Sequence, residues 1–399
     1  MGRYRDAEPV LARAVETLAQ TGGDNRLVTA ALSNLAAVYH VRGRFDEAKS
    51  LYQRAEILQA GDSGTVPERS KLLGRMALLA EDMGDLEGAS ALIRRALEGL
   101  DQAGASETAD GALALGTWAT ILLSQGQPEQ AEQQLKHSLA IREKIAGPNQ
   151  ISSADGLNTL GVTYLRRSQW RPAEQSFRRA VGILRMYPDS PLMAAALNNL
   201  GSALRAQGPA KESESSIRQA IAIWERLLGP DHPSVASGLT NLAVTLQASG
   251  HYAEAADVAE RARSIDLRNF PPQHRRIGAD LNLAGILAKS RKRYAEAEEL
   301  LLGADAILES ALPPNDPEIG AALLNLAEVF HKQKKLDASR ETYKRGMAVM
   351  TSAWGPADAR LAPWLDRYAA LLREHREFAE AAQLEAQSTR LRVGQILHP

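Results

Sequence analysis

The sequence has no cysteine, only 5% aromatic residues and no excess of either charge: 47 Lys and Arg stand against 48 Asp and Glu, a net of -1. Without cysteine there is no disulfide frame and no thiolate to act as nucleophile or metal ligand. Balanced, interspersed charge supplies no field to drive binding to nucleic acid or to a membrane surface, so neither is expected as a partner. No stretch approaches the roughly 20 apolar residues of a membrane span. Arg3, Arg5, Asp6 and Glu8 stand where a secretory signal would be apolar, and a cytoplasmic location is expected.

Catalytic signatures are also missing. The histidines are His40, His137, His232, His251, His274, His331, His375 and His398, and no two have metal-ligand spacing on one helix. "GDSGT" at Gly61 to Thr65 lacks the spacing of a nucleophile elbow. No Gly-rich phosphate loop leads into a helix with a Lys in place. Paired acids such as Asp46 and Glu47 fall at helix starts, where the dipole explains them. No enzyme, no metal and no cofactor is expected. His232 sits in a linker and is expected to cap or pack locally.

What is present is a period. Ala7, Ala48, Ala89, Ala131, Ala173, Ser213, Ala255, Ala297, Ser339 and Ala381 follow one another at gaps of 41, 41, 42, 42, 40, 42, 42, 42 and 42. Abundant Ala and Leu with few aromatics favour closely packed helices. Each unit reads as two of them. In "ALSNLAAVYHVRG", Leu32, Leu35, Ala36 and Tyr39 recur at i, i+3, i+4 and i+7, one helical face. "ALNNLGSALRAQG" ending at Gly208 and "GLTNLAVTLQASG" ending at Gly250 repeat it. Gly43, Gly84, Gly126, Gly208 and Gly250 close this first helix, because glycine enters the left-handed cap conformation without strain. The second helix opens with acids, or with Pro128 and Pro172 in its first turn. Its Ala48, Tyr52 and Ala55 are spaced i, i+4 and i+7, with small residues that allow close approach. Linkers such as "LGPDHPSVA", "LPPNDPEIG" and "AGPNQISSA" stop one helix and are expected to cap the next with Asp, Asn or Ser.

The helix pair with "N-L-A/G-x-x-Y/L", then "G-x-Y/F-x-x-A", then Arg-Ala resembles the tetratricopeptide repeat. The 42-residue period and the "L-G-P-D-H-P" linker resemble its kinesin-light-chain-like branch, common in bacterial proteins. The resemblance implies an all-α fold, a right-handed α-solenoid of antiparallel helix pairs. A half repeat at 1–22 precedes nine repeats at 23–62, 63–104, 105–147, 148–188, 189–229, 230–271, 272–313, 314–355 and 356–399, a single array over 1–399. Near Asp280 to Tyr294 one residue is lost before the helix motif and one gained in the turn, leaving the register of Asn282 open by one.

The resemblance also implies a concave face lined by the first helices. There Asn34, Asn199, Asn241, Asn282 and Asn325 are candidates to pair with the backbone of an extended peptide, since an amide both donates and accepts. The pattern fails at Arg75, Thr117, Thr159 and Arg367, although Asn158 is one residue off. One turn on, Arg166, Arg205, Lys289, Lys332 and Arg373 form a basic row that suits an acidic peptide. Glu81 and Glu328 on the same helices oppose it. The competing reading has the Asn bonding neighbouring helices and the cations forming a solvated row. Trp170 takes the place of Phe45 and is expected to pack; Trp224, Trp354 and Trp364 are expected to fill gaps between repeats.

The expected function is therefore a non-catalytic scaffold that holds a partner protein or peptide. The alternative is a regulatory array cut from a larger signalling or effector enzyme. "MGRYRDAEPVLARAV" reads as a second helix without its first; Val10, Leu11 and Ala14 form an apolar face, and self-association through it is a further expectation.

Overall fold

A computed structural model describes residues 2–22, 24–41, 44–61 and 65–397. Met1, Arg42, Gly43 and His398, like residues 62–64 of the "GDSGT" stretch, lie outside the described residues. The rest is helix joined by short turns. The chain divides into two compact units, Met1–Pro230 and Asp231–Pro399.

The first unit opens with α1 (Gly2–Gln20). Five pairs follow: α2 (Asn25–Val41) with α3 (Phe45–Gly61), α4 (Val66–Asp82) with α5 (Leu86–Gln102), α6 (Ala109–Ser124) with α7 (Pro128–Ala146), α8 (Ile151–Arg166) with α9 (Trp170–Leu184), and α10 (Pro191–Gln207) with α11 (Ala210–Leu228). The second unit holds four: α12 (Pro233–Ala248) with α13 (Tyr252–Asn269), α14 (Arg275–Ser290) with α15 (Tyr294–Ala311), α16 (Pro317–Lys332) with α17 (Leu336–Trp354), and α18 (Ala362–Glu374) with α19 (Phe378–Leu397). A short 3-10 helix, Ala359–Leu361, leads into α18. Within each pair the helices pack along their length, and within each unit successive pairs stack on one another. We call the first helix of a pair A and the second B.

The close approach within a pair comes from two columns of small residues. Ala48, Ala89, Ala131, Ala173, Ser213, Ala255, Ala297, Ser339 and Ala381 on the B helices are fully buried. On the A helices Gly161, Gly201 and Gly285 take the side chain that follows one turn later on B. A β-carbon on Gly161 would lie 2.5 Å from Phe177, and one on Gly285 2.5 Å from Leu301. Where Ser replaces Ala, the hydroxyl is satisfied locally: Ser213 and Ser339 donate to the carbonyls of Gly201 and Ala327, each at 2.7 Å. Tyr52, Phe177 and Tyr343 fill equivalent core positions.

Among the described residues, every turn from A to B is left-handed. Gly84, Gly126, Gly208 and Gly250 have φ of 82°, 73°, 106° and 81°, as their position in the repeat requires. Four side-chain-bearing residues adopt the same conformation at the same place: Ser168, Lys292, Lys334 and Arg376, at 57°, 62°, 62° and 64°. Linker caps largely follow the sequence. The imidazole of His232 accepts from the backbone N–H of Ser234 (3.1 Å), and His274 accepts from that of Arg276 (3.2 Å). Burial lowers the pKa of both rings, which favours the neutral form that can accept. Asp316 caps α16 at 2.8 Å. "AGPNQISSA" departs from the expectation: Gln150 stands at the N-cap of α8 and makes no side-chain cap bond.

Candidate functional site

The A helices place the candidate amides in a column, and the structure shows what each touches. Asn199 donates to the side-chain oxygen of Asn158 at 3.0 Å, and Asn325 donates to that of Asn282 at 3.1 Å. The second bond settles the register of Asn282, which takes its place in the column. Asn34 is exposed and accepts from Arg75 at 3.1 Å; the same Arg75 nitrogen donates to Ser33 at 2.8 Å. Arg75 thus does from the next repeat what Asn199 does for Asn158. Asn199, Asn241 and Asn282 are half-buried and Asn325 is buried. Each inter-repeat bond uses one donor and one acceptor site, and an amide carries two of each.

The basic row is not brought together as a single patch. Arg166 donates to the carbonyl of Leu123 at 2.8 Å. Arg205 is half-buried, its Nε lacks a hydrogen-bond partner, and burial pulls its pKa down. Lys289 pairs with Glu328, which also accepts from Arg367 at 3.0 Å. Arg373 forks onto both oxygens of Glu385 at 2.6 and 2.7 Å. Lys332 is exposed.

The first unit offers a pocket that the residue pattern did not point to. It has a volume of ≈ 200 Å³ and lies between α2, the end of α3 and α4. Leu58, Leu72 and Ala30 give it apolar walls; Arg26, Lys71, Arg75, Asn34 and Glu68 ring it. Lys71 and Arg75 share a face because they are one turn apart on α4. Lys71 also reaches Asp110 at 2.9 Å. Gln59 contributes a side-chain oxygen that is buried and has no hydrogen-bond partner. The sequence signal was available: a Lys and an Arg four apart on an A helix, in the repeat that replaces Asn with Arg75.

A second hollow of ≈ 730 Å³ opens on the turn side of the same unit, lined by Tyr164, Trp170, Glu132 and Gln207. It corrects the expectation for Trp170, which is 38% exposed. Trp224 is buried as expected, while Trp354 and Trp364 pack against the last core cluster with Arg360 and Arg367 over their rings at 4.4 and 4.8 Å. Among the described residues no group of three or more His, Asp or Glu is placed to hold a metal ion. No described helix is long and apolar enough to cross a membrane.

A family model described as "Tetratricopeptide repeat" matches residues 1–59, 27–102, 68–144, 110–186, 192–268 and 275–352. The chain belongs to the tetratricopeptide repeat family. Among solved structures, a Rap protein complexed with Competence and Sporulation Factor is similar over 92% of this chain and 98% of its own, with a TM-score of 0.66 and 14% identity. The apo form of RapI is similar over 71% of this chain and 98% of its own, with a TM-score of 0.57 and 14% identity. A Podosopora anserina putative kinesin light chain with nearly identical TPR-like repeats aligns with 51% of this chain and 98% of its own, at 23% identity and a TM-score of 0.44. No curated protein matches. At these identities the structural likenesses speak to the tetratricopeptide fold alone.

Proposed function

We propose that this tetratricopeptide protein is a non-catalytic scaffold that holds a partner protein or an extended peptide against its A-helix faces. The observation that carries the reading is the pocket between α2 and α4. Two cations one turn apart, Lys71 and Arg75, face apolar walls beside Asn34 and the unsatisfied oxygen of Gln59. That combination suits an acidic group of the partner next to a small apolar side chain, with a backbone or side-chain N–H for Gln59. Asn34, Asn199, Asn241 and Asn282 add their remaining amide sites as contacts to partner backbone, and Asn325 holds Asn282 in place. Of the basic row, Lys332 is exposed, Arg205 is half-buried, and Arg166, Lys289 and Arg373 are already bonded to Leu123, Glu328 and Glu385. The Rap protein of similar fold is complexed with Competence and Sporulation Factor, which supports a bound partner for this fold here too.

The test is affinity capture with quantitative mass spectrometry, comparing wild type, Lys71→Ala and the pair Lys71→Ala with Gln59→Ala. Lys71 is exposed, so its loss leaves the fold intact. Partners seated in the pocket drop out of both variants. Equal recovery from all three proteins would sink the pocket reading.

A further inference from the structure

The turns of the second unit carry a feature separate from the A-helix faces. In three successive repeats the left-handed turn position is occupied by Lys292, Lys334 and Arg376. A β-carbon is unfavourable in this conformation. Gly250, in the first turn of the same unit, shows that the turn forms without that penalty. All three side chains are exposed, and none has an ion pair among the described residues. Five of the acids near them in the chain are already engaged, and Glu299 and Asp337 are exposed. Glu296 is taken by Arg293 (3.4 Å), Glu298 by Lys335 (both oxygens at 2.7 Å), Glu374 by His331 (2.8 Å), and Glu377 and Glu380 by Arg340 (2.8 and 3.0 Å). Beside each cation stands the first residue of the B helix: Tyr294, half-buried, then Leu336 and Phe378, exposed by 42% and 56%. The edge thus repeats one unpaired cation and one apolar side chain per helix pair.

We propose that this edge docks an extended acidic segment of a partner protein. Equivalent turns of stacked helices stand on the order of 10 Å apart, one helix diameter. An extended chain rises about 3.3 Å per residue, so acids three residues apart meet successive cations while the residues between them reach Leu336 and Phe378. Nucleic acid fits less well. A polyphosphate gains affinity by neutralising many phosphates at once, whereas three separated cations stand here with exposed Glu299 and Asp337 on the same edge. A peptide with spaced acids avoids those two carboxylates.

The experiment is fluorescence anisotropy at low salt on the full chain, with a dye-labelled synthetic peptide of repeated Glu-Ser-Gly. The test variant combines Lys292→Gly, Lys334→Gly and Arg376→Gly. Glycine suits the turn, so this variant melts at or above the wild-type temperature, which separates loss of charge from loss of fold. A control removes three exposed cations of the first unit, Lys49→Ala, Lys144→Ala and Lys211→Ala. The expected result is binding about tenfold weaker for the turn variant, from three exposed charge pairs, and little changed for the control. Equal loss in both variants, no loss in the turn variant, or preferential binding of an oligothymidylate of equal charge would overturn the proposal.

Discussion

At the described turns, the first unit uses Gly84, Gly126 and Gly208 with Ser168 among them, whereas the second uses Gly250 and then Lys292, Lys334 and Arg376. A second contrast lies in the core. At the A-helix position held by Leu32 and Leu197 in the first unit, α14 carries Asp280; at the B-helix position held by Leu100, Leu184 and Trp224, α13 carries Asp266. Both carboxylates are buried. Asp266 is answered by a fork from Arg276, at 2.9 and 3.1 Å, and Arg276 also reaches Ser237 at 3.1 Å. The first unit has polar residues at this B-helix position too: Gln59 keeps a buried side-chain oxygen without a hydrogen-bond partner, whereas neutral groups satisfy Arg142, Ser138 at 3.2 Å and the carbonyl of Ser152 at 2.8 Å. Asp280 has no comparable answer. One of its oxygens is buried without a hydrogen-bond partner, and burial together with the neighbouring Asp266 pushes its pKa up to about 7. A repeat therefore accepts a polar residue at a core position when the next element supplies its counterpart, and carries a cost when it does not.

The largest expected effect tests what the two units share. Gly161→Val and Gly285→Val each push a branched side chain into a contact already 2.5 Å from a β-carbon. Each should cost about 3 kcal/mol by overpacking, read as a lower urea midpoint. A shift in only one of them would show that the helix crossing is held less tightly in the other unit.

Next in size is the core contrast. Asp280→Leu restores the residue type that the first unit uses, leaves the Asp266–Arg276 fork intact and should stabilise by about 2 kcal/mol at pH 8. The sign follows from the raised pKa. Folding holds the proton on Asp280 that the unfolded chain releases, so the stability contribution is complete below about pH 4 and is lost as pH rises through about 7. Melting temperatures of wild type and variant should thus converge at low pH and separate above neutrality. A difference that did not change with pH would mean that Asp280 does not titrate in the folded protein.

These predictions rest on features that were unequally legible. The pairing of helices could be read because Ala48 and its equivalents recur at a nearly fixed spacing, and a helix crossing admits only small residues there. The left-handed turn was legible where glycine marks it and silent at Lys292, Lys334 and Arg376, since a long side chain tolerates that conformation without advertising it. The displaced motif near Asp280 was visible, but its outcome depended on a bond between Asn282 and Asn325. The state of the basic row was beyond the pattern. Whether Lys289 is available depends on Glu328, 39 residues away on the next A helix, and on the rotamers both adopt. The pocket between α2 and α4 was legible only as the pair Lys71 and Arg75 four apart on one helix; its walls come from three helices of two repeats.

A smaller effect concerns the amide column, present in both units. Asn199→Ala and Asn325→Ala each delete one inter-repeat hydrogen bond and should cost about 1 kcal/mol. Asn325 is the more buried donor, and its loss leaves the oxygen of Asn282 without this bond, so its effect should be the larger in denaturant unfolding. Equal costs would indicate that water replaces the amide as readily in the second unit as in the first.

The smallest effect returns to the turns. Lys334→Gly removes a left-handed penalty of about 1 kcal/mol, offset by the roughly 0.5 kcal/mol that glycine loses through its greater freedom when unfolded. The net should be a gain of a few tenths of a kcal/mol. Gly126→Lys makes the opposite exchange at φ 73°, where no atom lies within 4 Å of the added β-carbon, so backbone strain alone decides the outcome. It should lose a similar amount. Paired calorimetric scans of the two variants read both signs at once. If Gly126→Lys proved neutral while Lys334→Gly stabilised, the strain at Lys334 would come from mutual repulsion among the turn cations rather than from its backbone. Added salt, which screens such repulsion, would then erase the gain.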